Sequence, residues 1–246
     1  MTNENKLYEG KAKIVWATEN PDEVAQQFKD DATAFDGKKK GQIAHKGVRN
    51  ARISAILFRL LEENGIATQL VDQIFEDTLL CKKLQMYPVE VVVRNYAAGS
   101  ICKRLGFEEG ARMKQPLLEF FLKDDSLGDP LVTDAHIEEL ELVTAKERDE
   151  IRRLALEINA ILSKFFADRG VMLVDFKLEF GKDSAGDIVL GDEISPDTCR
   201  FWDAGTKKKL DKDRFRRDLG DVEAAYEEML KRVEKYEGRS FPNIPN

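Results

Sequence analysis

Residues 171–200 read VMLVDFKLEFGKDSAGDIVLGDEISPDTCR, and the fold turns on how this stretch is folded. With a period of two, Leu173, Asp175, Lys177 and Glu179 fall on one face of a strand. Met172, Val174, Phe176, Leu178 and Phe180 fall on the other, which is an ordinary core face. The first face is unusual, because it sets two carboxylates and an ammonium in a row at intervals of about 7 Å, twice the strand rise. Gly181 to Asp187 is rich in Gly, Ser and Asp, as a hairpin loop requires, and the apolar IVLG after it is expected to return antiparallel. That return brings Asp192 and Glu193 towards the same end. Carboxylates gathered so closely repel one another unless cations hold them together. Lys177 is one such cation, and a hard divalent ion with a taste for oxygen, such as Mg²⁺, is the natural other. The competing reading is a solvated strand face laced with salt bridges.

Working outward, the balance of 39 basic against 46 acidic residues gives a net charge of −7, which speaks against a general nucleic-acid binder. A chain of 246 residues buries a substantial core, as one large domain or two small ones. The sequence contains no apolar run long enough to span a membrane. Its start, MTNENKLYEGK, lacks the apolar core of a signal peptide, so a cytoplasmic location is expected. Cys81, Cys102 and Cys199 lie far apart, and their spacing is neither a disulfide framework nor a zinc pattern. With His45 and His136 the only histidines, chemistry must rest on Asp, Glu, Lys, Arg and bound ions.

Leu7 to Ala17 predicts a hairpin turning at Gly10, with Lys11 and Lys13 on one face and Ile14 and Trp16 on the other. A glycine followed by two lysines on one side suits a loop lying over phosphates, and suits an exposed basic edge strand equally well. Residues 23–29 predict a strand, and DDATAFDGKKKGQ, with Asp36 and Lys38 to Lys40, a polar loop. Ile53, Ile56, Leu57, Leu60 and Leu61 give the stripe of a helix from about 47 to 64, closed by Gly65. Three β-like runs follow: IATQLV, TLLCKKLQM and PVEVVVRN. Arg94 then stands at a strand end, just before a short helix entered through Gly99 and Ser100. That arrangement offers an anion site, or merely a cap and an ion pair. KDDSLGDP forms a loop carrying Lys123 and Asp129. A capping box, Thr144 to Glu147, opens a long helix with Ile151, Leu154, Ala155, Ile158, Leu162 and Phe165 inward. SPDTCRFWD is expected to be a turn presenting Asp197, Arg200 and Asp203 beside Asp192. DKDRFRRDLG is expected to be helical. Val222, Ala225, Tyr226, Met229, Leu230 and Val233 mark a last amphipathic helix, and a loosely held tail follows from Gly238.

Two segments go beyond pattern. LVDFKLEFG at 173–181 and MYPVEVVVRNYAAGS at 86–100 resemble the two signature motifs of the SAICAR synthetase family. YEGKAK, KKL and GDEISPDTCRFWD resemble further parts of that family in the same order, so the likeness spans nearly the whole chain. It implies an α+β fold with two lobes, related to ATP-grasp and kinase-like enzymes, with antiparallel sheets, flanking helices and ATP between the lobes. In that picture residues 1–84 form a β-rich lobe over ATP. Residues 85–246 form a larger lobe with the metal, ribonucleotide and aspartate sites.

The implied activity is ATP-dependent ligation of L-aspartate to the carboxylate of carboxyaminoimidazole ribonucleotide (CAIR) through an acyl phosphate, with Mg²⁺ and, by family likeness, a homodimer. The resemblance assigns Glu179 and Asp192 to Mg²⁺, with Asp175 close to a metal, and Lys177 to the transferring phosphoryl group. It assigns Lys11, Ala12 and Lys13 to the ATP phosphates and Lys82, Leu84 and Met86 to the adenine pocket. Arg94, Ser100 and Arg200 would grip the ribonucleotide phosphate, and Asp36 its ribose or ring. Lys123 and Asp129 would serve the aspartate side. A small-molecule kinase and a non-catalytic nucleotide sensor remain as rivals. Aspartate dependence of ATP breakdown separates the first, and phosphate release the second.

Overall fold

Alternating apolar residues before Lys82 build one antiparallel sheet, and those after it build another. The computed structural model describes residues 5–34 and 38–236. Strands β1 (Lys6–Glu9), β2 (Lys13–Ala17) and β3 (Glu23–Phe28) form a meander. β4 (Asp31–Ala34) and β5 (Lys39–Gln42) pair as a separate ribbon, and α1 (Lys46–Glu63) follows. β6 (Leu70–Phe75) and β7 (Thr78–Lys82) complete the first sheet in the order β1-β2-β3-β7-β6.

The second sheet begins with β8 (Gln85–Tyr96). After α2 (Ser100–Leu105) come β9 (Arg112–Leu122), β10 (Leu131–Val132), α3 (Asp134–Glu139) and α4 (Ala145–Ala167). Next are β11 (Val171–Lys182), β12 (Ile188–Leu190), β13 (Cys199–Asp203), α5 (Asp213–Arg216) and α6 (Val222–Val233). The sheet order is β10-β9-β8-β11-β12, and β13 also pairs with β11. The architecture is α+β and two-lobed, with antiparallel sheets and helices against them.

Both sheets and their helices share one apolar core, in which Leu57 and Leu61 of α1, Val91 of β8, Ile158 and Leu162 of α4 and Phe176 of β11 are almost fully buried. The lobes are stitched by main-chain bonds, Gln69 N–H to the Leu190 carbonyl at 2.9 Å and Leu190 N–H to that of Ala67 at 3.1 Å. Helix α1 adds Ser54 Oγ donating to the Ile194 carbonyl at 3.1 Å. The capping box of α4 is as expected: Thr144 Oγ1 accepts from Glu147 N–H, and Glu147 accepts from Thr144 N–H.

Several local expectations are corrected. In β11 the alternation slips: Val171 and Leu173 pack in the main core with Phe176, Leu178 and Phe180, while Met172 and Val174 pack with Trp202 and Ala98. The cause is a bulge between Leu173 and Asp175 in the pairing with β13, which shifts the faces by one residue. Leu173 therefore does not share a face with Asp175. DDATAFDGKKKGQ is not a plain loop, since β4 and β5 pair within it; Asp36 lies outside the described residues, as does the tail from Gly238. SPDTCRFWD is not wholly a turn, because Cys199–Asp203 is the strand beside β11. The IATQLV strand starts late, at Leu70, after Thr68 bridges to Leu190. DKDRFRRDLG yields only the single turn of α5.

Candidate active site

Antiparallel pairing of β11 with β8 sets Glu179 opposite Glu90 and Asp175 opposite Arg94. The 183–187 loop returns the chain so that Gly191 N–H donates to the Glu179 carbonyl at 2.9 Å, which brings Asp192 beside Glu179. Glu90, Glu179 and Asp192 floor a cleft of about 530 Å³ between the lobes, roofed by Gly10 to Lys13 and flanked by Thr33. Gly191 packs closely against the floor: a Cβ there would lie 3.1 Å from Met86 Cε and 3.2 Å from Leu84 Cδ1, so those side-chain ends would have to give by a few tenths of an ångström.

The charges in the cleft interlock. Lys177 Nζ donates to Glu179 and, at 3.0 Å, to Glu90, and stands 3.6 Å from Asp192. Lys13 pairs with Asp192 and lies 3.2 Å from Glu193; Lys123 pairs with Glu179. Lys11 reaches Asp125 across the mouth at 2.6 Å. Burial alone would lower the pKa of Lys13, but Asp192 and Glu193 overcome it and raise it. Burial likewise works to raise the Asp192 carboxyl, yet Lys13 and Lys177 hold it well below the usual carboxylate range. Lys177 is driven up by Glu179, Asp192 and Glu90 against the effect of burial. Burial pushes the Glu90 carboxyl up, with Lys177 opposing.

A second constellation lies along the same two strands. Arg94 Nη1 donates to Asp175 Oδ2 at 2.7 Å, Nη2 to Ser100 Oγ at 3.2 Å and Nε to Glu119 Oε2 at 2.7 Å. Arg200 Nη1 donates to both Asp175 oxygens, at 3.0 and 2.9 Å, and its Nε to Asp213 Oδ2 at 2.9 Å. Gly99, at φ +66°, lets the chain pass beneath Arg200, where a Cβ would lie 2.5 Å from Nη2. Ser100 is the first residue of α2 rather than its cap, and its hydroxyl faces Arg94.

The structure thus brings Lys11, Ala12, Lys13, Met86, Lys123, Asp129, Lys177, Glu179 and Asp192 to one cleft. It gathers Arg94, Ser100, Asp175 and Arg200 beside one another. Asp175 is committed to two guanidiniums, and Glu179, four residues along, is about 13 Å away by strand rise. Leu84 supports the floor at Gly191, whereas Lys82, whose N–H donates to the Gln69 carbonyl at 2.7 Å, does not line the cleft. Asp203 is not beside Asp192: it stands at the far end of β13, opposite Val171, paired with Arg232 at 2.6 Å. Glu90, Lys212 and Arg216 line the cleft and were not singled out from sequence. Glu90 was findable, since it shares the strand face of Arg94 by even spacing. Lys212 and Arg216 carried no local signal.

Among the described residues no group of three or more His, Cys, Asp or Glu is poised to hold a metal ion. Glu179 and Asp192 are nevertheless an all-oxygen pair sharing one ammonium. Mg²⁺ characteristically binds through one or two carboxylates completed by phosphate oxygens, so these two residues fit it as part of a nucleotide complex.

Residues 6–233 match the family model described as SAICAR synthetase. The chain is 55% identical over 235 residues to phosphoribosylaminoimidazole-succinocarboxamide synthase of Caldanaerobacter subterraneus subsp. tengcongensis, covering 96% of this chain and 100% of the relative. The crystal structure of the synthase from Ehrlichia chaffeensis superposes with a TM-score of 0.92 at 46% identity, over 98% of this chain and 100% of that one. A SAICAR synthetase in complex with ADP gives 0.90 at 50% identity, over 95% and 99%. With agreement over almost its whole length in both sequence and backbone, the chain belongs to the SAICAR synthetase family.

Proposed function

We propose that the chain joins L-aspartate to the carboxylate of CAIR, breaking ATP down to ADP and phosphate and releasing the succinocarboxamide. The observation that carries this is one cleft in which Glu179 and Asp192 share the Lys177 ammonium under the Lys11–Lys13 loop, next to a double-arginine site built on Asp175 of the same strand β11. A relative solved in complex with ADP supports nucleotide binding; the nucleotide would lie in the cleft between the lobes, in the manner of ATP-grasp and kinase-like enzymes.

A carboxylate does not acylate an amine at neutral pH, because oxide is too poor a leaving group. Transfer of the γ-phosphoryl group to a carboxylate oxygen breaks the β–γ P–O bond and makes an acyl phosphate. The aspartate amine then attacks the acyl carbon, the C–N bond forms, phosphate leaves with the C–O electron pair, and the amine gives up a proton. No enzyme nucleophile is needed. Cys81 and Cys199 are buried, and burial pushes the Cys81 thiol up to about 12.

Three anionic reactants must meet, so charge neutralisation and positioning dominate, as in other phosphoryl transfers. Lys13 and Lys11 cover the phosphates and Lys177 stabilises the group in flight. Met86, with Leu84 behind it, supplies the apolar side of the adenine site. Glu179 and Asp192 would hold Mg²⁺, which when bound neutralises phosphate charge. Asp175 acts by fixing Arg94 and Arg200, which with Ser100 bind the ribonucleotide phosphate. Lys123 and Asp129 serve the aspartate side. A homodimer is the assembly the family likeness suggests.

The test is phosphate release from ATP–Mg²⁺ with each acceptor in turn. Release that requires both CAIR and aspartate is the expected result. Steady turnover with CAIR alone, yielding a stable phosphorylated product, would identify a kinase instead.

A further inference from the structure

Arg94 and Arg200 belong to a longer chain of alternating charge. Arg104 pairs with Glu119, Glu119 with Arg94, Arg94 and Arg200 with Asp175, Arg200 with Asp213, and Asp213 with Arg216 at 2.6 Å. The two inner arginines are held in matching ways. In each, Nε donates to an outer carboxylate, Glu119 or Asp213, and Nη1 donates to the shared Asp175. A planar guanidinium fixed at those two corners has no rotation left. Its remaining nitrogen, Nη2, must then point one way. In Arg94 it points to Ser100 Oγ at 3.2 Å, and in Arg200 it lies against Gly99, where an added Cβ would stand 2.5 Å from it. Both free corners therefore converge on the Gly99–Ser100 bend. Glu119 and Asp213 are themselves almost fully buried, with side-chain exposures of 9% and 5%, so these bonds are little weakened by solvent.

We infer that Glu119 and Asp213 are positioning residues for the ribonucleotide phosphate: they aim Arg94 and Arg200 at the Gly99–Ser100 corner and so set the affinity for that substrate. The inference rests on the assignment of Arg94, Ser100 and Arg200 to that phosphate. Neither acid touches the substrate. Each works through the arginine whose Nε it holds, and each is steadied by an outer arginine, Arg104 or Arg216.

The experiment is calorimetric titration of CAIR into Glu119→Leu, Glu119→Gln and Asp213→Asn, alongside Arg94→Lys and with the KM for ATP measured in parallel. Glu119→Leu removes a charge-assisted bond and is expected to raise the Kd for CAIR about tenfold, with the KM for ATP within about twofold. Glu119→Gln retains an acceptor for Nε and should recover most of this, leaving a rise of about threefold. Asp213→Asn should show the same rise of about threefold. Should Glu119→Leu fail to fold, Glu119→Gln and Asp213→Asn decide: CAIR affinity unchanged in both overturns the inference. A Kd for CAIR that stays within twofold in a folded Glu119→Leu also overturns it, as does an equal rise in the ATP and CAIR constants. If Arg94→Lys itself leaves CAIR binding intact, the phosphate assignment is what fails. If Arg94→Lys weakens binding and the acid variants do not, the assignment stands and the positioning role is lost.

Discussion

Replacing Asp192 by asparagine is expected to cut turnover by ~10²–10³-fold, the scale of losing one preorganised stabiliser of transition-state charge. The substitution is clean for a structural reason. Asp192 has a φ of +55°, and asparagine is among the few residues that tolerate this region, so the backbone should stay in place while the charge goes. What is lost is the anion that Lys13 and Lys177 both face and one of two carboxylates suited to Mg²⁺. Titrating Mg²⁺ against a fluorescent ADP analogue supplies a readout apart from activity. Binding should need more Mg²⁺ in the variant than in the parent. Near-normal turnover with an unchanged Mg²⁺ requirement would remove the metal role from Asp192.

Arg94→Lys is expected to raise the Kd for CAIR roughly 10²-fold or more, by removing at least two charge-assisted hydrogen bonds. An ammonium carries equal charge but cannot span the positions that the guanidinium fills. Glu119 and Asp175 are 2.7 Å from different nitrogens of Arg94, and Ser100 is served by the third. One of two buried carboxylates is then left poorly paired, so the urea midpoint should fall as well. An unchanged affinity for CAIR in a folded variant would contradict the assignment.

What could be read from sequence divides by range. Helix α1 and the capping box of α4 are local patterns, and the structure has both. The meeting of Glu179 with Asp192 was also legible, because a Gly- and Asp-rich loop between two β-like runs allows little but an antiparallel return. The slip at Leu173 was not, since a bulge depends on the partner strand, and the sequence of β13 itself reads as a turn. Its five residues, CRFWD, are too few for alternation to show. The partners of Asp175 were hidden for the same reason: Arg94 lies 81 residues away and Arg200 25, and only the sheet register joins them. The family resemblance sets Asp175 close to a metal. The register adds two guanidinium partners that no local pattern shows. Lys212 and Arg216 reach the cleft through a single helical turn, with no periodicity to announce them.

Isotope transfer tests the chemical core of the account most directly. CAIR carrying ¹⁸O in its carboxylate is turned over with ATP and aspartate, and the released phosphate is weighed by mass spectrometry. Activation through an acyl phosphate requires one carboxylate oxygen to leave on phosphorus, so each phosphate should carry one ¹⁸O. Phosphate free of label would mean that the carboxylate was never phosphorylated.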